Sequence, residues 1–183
     1  TTAIIPAGEW LEMPAVAPEG KYPDAVMMTV MDGGERNYSL LYDRSTYTPM
    51  WVAYPLESKH MGEIERPSNW DWNPYISISC QVNLCRRSYT DSEIYSRGHL
   101  IPNASRNGNV SMQEQTFYVT NSVPQVQDGF NGGIWMRLEA GLQRVAQQSV
   151  VYIVTGVAFE KMSEECEVKY TAARNEPEKR VPV

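Results

Sequence analysis

Histidine and cysteine are scarce in this chain, and both shortages narrow its chemistry. With His60 and His99 as its two histidines, it can build neither an H-E-x-x-H helix nor a multi-histidine zinc cluster. Cys80, Cys85 and Cys166 form no C-x-x-C pair, so a cysteine zinc site is not expected. Free thiols and a Cys80–Cys85 disulfide both stay open, and with them the redox compartment. Long apolar runs are missing too. The longest, Ser149 to Phe159, would span about 16 Å as a helix against a hydrocarbon core of about 30 Å, so no membrane partner is expected. The opening Thr1-Thr2-Ala3-Ile4-Ile5-Pro6 has neither the basic nor the apolar stretch of a signal peptide. Basic charge is short as well. A net charge of −6 argues against a protein that coats nucleic acid by bulk electrostatics.

The distribution of charge says more than its sum. Up to residue 79 there are 11 acids and 5 bases, whereas residues 80 to 150 hold 5 acids and 6 bases. All six of those bases are arginines: Arg86, Arg87, Arg97, Arg106, Arg137 and Arg144. Arginine's planar fork suits phosphate oxygens. Scattered surface arginines would give the same count.

Residues 1–24 carry Pro6, Pro14, Pro18 and Pro23 without periodicity and are expected to form an extended N-terminal arm. Residues 25–183 are expected to be one domain. Its opening is a hairpin, with strands at Ala25–Val30 and Arg36–Tyr42 around the turn Asp32-Gly33-Gly34. A third strand is expected at Pro49–Pro55, then loop over residues 58–92, with His60 solvent-exposed. Ile94–Pro102 is a short strand entering a loop, and β-branched, aromatic Thr116–Asn121 is a strand. Asn131–Gln148 is the best helix, with Ile134, Trp135, Leu138, Leu142 and Val145 recurring at helical spacing as its packed face. A strand at Val150–Val157 follows. The pattern is α+β.

Three ordered blocks carry the function. They are Tyr95-Ser96-Arg97-Gly98-His99-Leu100-Ile101-Pro102-Asn103-Ala104, Thr116-Phe117-Tyr118-Val119-Thr120-Asn121-Ser122-Val123-Pro124-Gln125, and Phe130-Asn131-Gly132-Gly133-Ile134-Trp135-Met136-Arg137-Leu138-Glu139. In that order they resemble the D-R-G-H, T-F-Y-x-[ST]-N-x-x-P-Q and L-N-x-G-x-W-x-x-L-E blocks of the sugar-non-specific DNA/RNA endonuclease family, the group that includes endonuclease G. A lone R-G-H is weak, but three blocks over about 60 residues are specific.

The resemblance implies a ββα-metal (His-Me finger) fold within a mixed β-sheet core with flanking helices. It implies metal-dependent, non-specific cleavage of DNA and RNA through their phosphate backbone. It assigns His99 as general base and Asn131 as the protein ligand of a Mg²⁺ ion, with Mn²⁺ as a substitute. Glu139 would orient water around the ion, Asn121 would support the site by hydrogen bonding, and Arg97 would face phosphate. Arg66 resembles an auxiliary arginine of the family and is not counted in the site.

The chemistry is coherent: neutral histidine suits proton abstraction near neutrality, and Mg²⁺ takes oxygen ligands while keeping several waters. On a helix, Asn131, Trp135 and Glu139 share a face, with the first and last Cα atoms about 12 Å apart. Only Asn131 is therefore expected to bind the ion directly. Each residue has a plainer counterpart, such as Asn131 as a helix cap or Trp135 as core.

Three departures stand out. Ser96 replaces the family aspartate before R-G-H. The Asn121-to-Asn131 spacing is one residue longer, with Gly129 to accommodate it. The sequence stops at Val183, where the family continues into another strand. Ser96, the acidic net charge and the early end of the sequence motivate an alternative: a degenerate nuclease-fold protein that binds nucleic acid or a protein partner without cleaving. A secreted or periplasmic location suits a non-specific nuclease, which would harm its own host's nucleic acids.

Overall fold

The Asp32-Gly33-Gly34 corner reverses the chain with Gly33 at a φ of +58°, a left-handed conformation that glycine adopts without steric cost. The strands it joins, β1 (Ala25–Asp32) and β2 (Glu35–Asp43), pair antiparallel with a bulge at Val30/Met31. β3 (Thr48–Leu56) and, from far along the chain, β6 (Val151–Gly156) complete an antiparallel sheet in the order β1-β2-β3-β6. The computed structural model describes residues 10–14, 22–159 and 168–183.

One face of this sheet is apolar. Tyr38, Leu40 and Tyr42 of β2 alternate inward and join Val30, Val52, Leu56, Leu100, Ile101 and Ile153 in the larger core. A second core gathers Trp70, Val82, Leu84, Tyr89, Phe117, Val119, Ala173 and Val181. Its strands are a C-terminal hairpin, β7 (Tyr170–Ala173) and β8 (Glu176–Pro182), for which the sequence offered no clear alternation.

Between the two cores lies a two-stranded ribbon of β4 (Tyr95–His99) and β5 (Ser122–Val126). A segment, Gln127–Trp135, kinked at Asp128 and Gly129 and helical after them, follows it and runs into α2 (Met136–Ala146). This is the two-strands-and-helix arrangement that the blocks imply, and the α+β class holds. The other α-helix, α1 (Val110–Gln115), is capped by Asn109, whose Oδ1 accepts from the Met112 amide at 3.0 Å.

Several expectations need correction. Thr116–Asn121 is not a strand. It is a turn ending in a single 3₁₀ turn, Val119–Asn121, pinned by hydrogen bonds from the Asp71 amide to Phe117 O and from the Val119 amide to Asp71 O. Tertiary contacts here override β-propensity. The helix expected from Asn131 to Gln148 is present, running through Trp135 into α2 and ending at Ala146, and the kink at Gly129, with a φ of +78°, lies just before it.

The helix's apolar stripe also does not pack as expected. Ile134, Leu138 and Val145 are 62%, 50% and 55% exposed. With Ile134 at 0° and about 100° per residue, these three span about 0–40°. The side that is buried or half-buried holds Leu142, Trp135, Ala146 and Glu139 at about 80–140°. The helix is rolled so that Glu139 faces inward, at the expense of burying its most apolar edge.

His60 was expected in solvent and is 3% exposed, and Arg106 is fully buried rather than on the surface. Of the N-terminal arm, residues 1–9 and 15–21 lie outside the described residues. Trp10–Met13 form a turn seated on β2, with Trp10 over the Arg36 guanidinium at 4.1 Å and Glu12 ion-paired to it. Cys80 and Cys85 are half-buried free thiols, while Cys166 lies outside the described residues. No helix among the described residues is long and apolar enough to cross a membrane.

Candidate active site

Alternation along β4 places Arg97 and His99 on one face of the ribbon and Ser96 and Gly98 on the other. Gly98 packs against Gln125, because a Cβ there would fall 2.2 Å from the Gln125 side chain and require it to move. The R-G-H spacing thus puts an arginine and a histidine side by side, with a glycine between them where the partner strand presses close.

The His99 ring is clasped by two aromatic rings, with centroids 4.4 Å from Trp70 and 4.8 Å from Phe117. It is 8% exposed, and its Nε2 is buried without a hydrogen-bond partner. Burial first, then the Arg66 and Arg97 guanidiniums, push its pKa down to about 3. The imidazole is therefore neutral across the physiological range, the form a proton acceptor needs.

Asn121 holds the chain that leaves His99. Its Oδ1 accepts from the Ile101 amide at 3.0 Å, and its Nδ2 donates to Ile101 O at 3.0 Å and to Thr116 O at 2.8 Å. It is completely buried and does not line the cleft.

That cleft, about 300 Å³, is lined by Arg66, Arg97, His99, Asn131, Met136 and Glu139 among others. Four of the five residues expected at the site therefore meet in one concavity, and Asn121 braces it from behind. Arg97 donates to Leu84 O at 2.7 Å and lies 5.5 Å over the Trp70 ring. Arg66, not counted from the sequence, stands 5.1 Å over Phe117. Its segment has no periodicity, so a solitary arginine there carries no local signal. Neither do Trp70 and Phe117, whose role as walls of the histidine arises from tertiary packing.

Glu139 is half-buried, and burial raises its pKa to about 7, with Trp135 and Arg66 pulling the other way. Asn131 donates from Nδ2 to Ser96 Oγ at 2.9 Å and to Gln127 Oε1 at 3.0 Å. Both amide hydrogens are thereby committed, and Oδ1 is the atom left for a ligand. Among the described residues no group of three His, Cys, Asp or Glu side chains could hold an ion. A hard cation that accepts one amide oxygen and fills its remaining positions with water fits this donor set. Such an ion would also stabilise the ionised form of Glu139. Ser96, for all its departure from the aspartate of the family pattern, supplies an acceptor for the Asn131 amide.

Residues 28–183 match the family model described as DNA/RNA non-specific endonuclease. Among similar curated proteins, a nuclease of Nostoc sp. is 33% identical over 135 residues, 73% of this chain and 46% of that protein. The mitochondrial endonuclease G of Caenorhabditis elegans is 32% identical over 127 residues, 67% of this chain and 41% of its own length. A crystal structure of a complex between EndoG and EndoGI superimposes with a TM-score of 0.67 at 25% identity, covering 84% of this chain and 63% of that one. The chain spans about half, or less, of the length of these curated relatives.

Proposed function

The chain belongs to the DNA/RNA non-specific endonuclease family, and from that premise we propose that it hydrolyses phosphodiester bonds of DNA and RNA with little regard for sequence. His99 is the general base and Asn131 the ligand of one divalent cation, Mg²⁺ or Mn²⁺. The observation that carries the reading is a neutral, enclosed imidazole sharing one cleft with two guanidiniums, a free amide oxygen and a carboxylate. The alternative, binding without cleavage, draws in part on the loss of the aspartate before Arg97. The Ser96 hydroxyl already takes an Asn131 amide hydrogen, so the donor set does not depend on a carboxylate there.

In this reading each residue has a distinct part. Arg97 and Arg66 attract the scissile phosphate and offset the charge that grows on its oxygens as water attacks. With Nε2 sealed from solvent, Nδ1 is the nitrogen of His99 that accepts the water's proton. Trp70 and Phe117 fix the orientation of the ring. Asn121 fixes the loop behind it, and Glu139 accepts hydrogen bonds from ordered water in the cleft. The cation, when bound at Asn131 Oδ1, supplies charge neutralisation for the phosphoryl and leaving oxygens. Because contacts to phosphate carry no base readout, the substrate class is broad. A secreted or periplasmic location is part of the same proposal.

Supercoiled plasmid incubated with the purified chain and Mg²⁺, with and without EDTA, tests the reading beside His99→Ala. Nicking that needs the metal and is lost in the variant is expected. A folded wild-type chain that binds plasmid without cutting it would replace this reading with the binding one.

A further inference from the structure

The aromatic pair that clasps His99 has a second side. Trp70 and Phe117 are also walls of a larger cleft, about 720 Å³, beside the catalytic one. Trp72 and Tyr118, both half-buried, add two more aromatic side chains to its lining. Its backbone is held in place: the Trp70 amide donates to Cys85 O at 3.2 Å, and the Asp71–Phe117–Val119 hydrogen bonds tie the opposite walls together.

Charge around this cleft is divided. Arg86 is exposed in its lining and Arg87 follows it. Asp71 and Glu114 line the wall as exposed carboxylates. A phosphate placed inside would be repelled by those carboxylates, whereas along the arginine rim it would be attracted. Aromatic faces and carboxylate acceptors suit a nucleobase, which offers a flat π-surface and exocyclic amino hydrogens.

We propose that this cleft is a subsite for an unpaired nucleobase adjoining the cleaved linkage, with the flanking phosphates along the Arg86 rim. It rests on the nuclease reading of the His99 cleft for the identity of the strand. A base stacked inside a closed duplex has no free face to offer, so the subsite favours single strands, loops and frayed ends.

The test is equilibrium binding by fluorescence anisotropy of a labelled eight-nucleotide DNA strand and of its duplex, in EDTA so that nothing is cut. The wild-type chain is expected to bind the single strand more tightly. Trp72→Ala weakens single-strand binding by roughly 5- to 100-fold and narrows the preference over duplex. Trp72 also packs against the second core, so Trp72→Phe serves as the folded control and restores most of the affinity. Arg86→Gln, at an exposed position, lowers the salt slope of single-strand binding by about 0.7.

Equal wild-type affinity for strand and duplex would overturn the subsite. So would a Trp72→Ala chain that binds the strand undiminished, or one that loses both forms equally. Plasmid cleavage is measured separately: its absence would sink the nuclease reading, while the strand-against-duplex comparison still decides the cleft.

Discussion

Among the described residues, two buried polar clusters treat their hydrogen bonds in opposite ways. Beneath the sheet, Arg106 donates to Asn37 Oδ1 and to the carbonyls of Asn37, Ser105 and Pro55 at 2.6–2.8 Å. Asn37 passes the network to Met112 O and Gln115, and Gln115 passes it to Met31 O. In the ribbon-and-helix unit, by contrast, His99 Nε2 and Gln125 Oε1 are buried without partners. A buried polar group left unsatisfied costs free energy. The closed network therefore marks a structural joint, whereas the open one carries an unmet polar cost directly behind the cleft where His99, Asn131 and Glu139 meet.

If that contrast is sound, the largest effect is on catalysis. His99→Ala is expected to lower the plasmid-cleavage rate roughly 10²- to 10⁴-fold while the far-ultraviolet circular dichroism stays native. Arg106→Met should do the reverse. It orphans an amide oxygen and three carbonyls, and urea unfolding should show a loss of about 3–5 kcal/mol. A loss below about 1 kcal/mol would mean that the network is not a joint at all.

The pH dependence of stability comes next in size. Burial lowers the pKa of His60 to about 4 and that of His99 to about 3 from the ordinary histidine value of 6.5. As pH falls below 6.5 the unfolded chain takes up these protons before the folded one, so their contribution is intact above 6.5 and is lost toward 4. The slope approaches about 1.4 kcal/mol per pH unit for each group. Urea midpoints at pH 7.5 and 5.0 should reveal it, and His60→Gln should flatten it. Smallest is Ser96→Ala, which removes one acceptor of the Asn131 amide. A fall of roughly 2- to 10-fold in cleavage is expected, with little change in unfolding midpoint. A variant as active as wild type would show that Gln127 alone orients the amide.

The two clusters also differ in how legible they were. The open one lies within three short blocks, and the strand alternation of Arg97 and His99 could be read from spacing. Its arrangement was less visible, because Trp70, Phe117 and Arg66 reach the histidine from segments without periodicity. The closed cluster gave no signal: Asn37 and Arg106 are 69 residues apart, and both look like surface residues by type. His60 misled for the same reason. The hairpin at Gly33 was plain, since its turn chemistry is local. The helix after Gly129 was visible as a helix but not in its roll, because an apolar stripe names the face that prefers burial, whereas here the face carrying Glu139 faces inward.

The most direct test of the central claim, that Ser96 and Gln127 turn the Asn131 carbonyl toward an ion beside a neutral His99, is a calorimetric Mn²⁺ titration of wild type and Asn131→Ala. Plasmid turnover would be followed on the same samples. One bound ion per chain, lost together with turnover in the variant, is the expected result. An Asn131→Ala chain that binds the ion and cuts plasmid as well as wild type would contradict it.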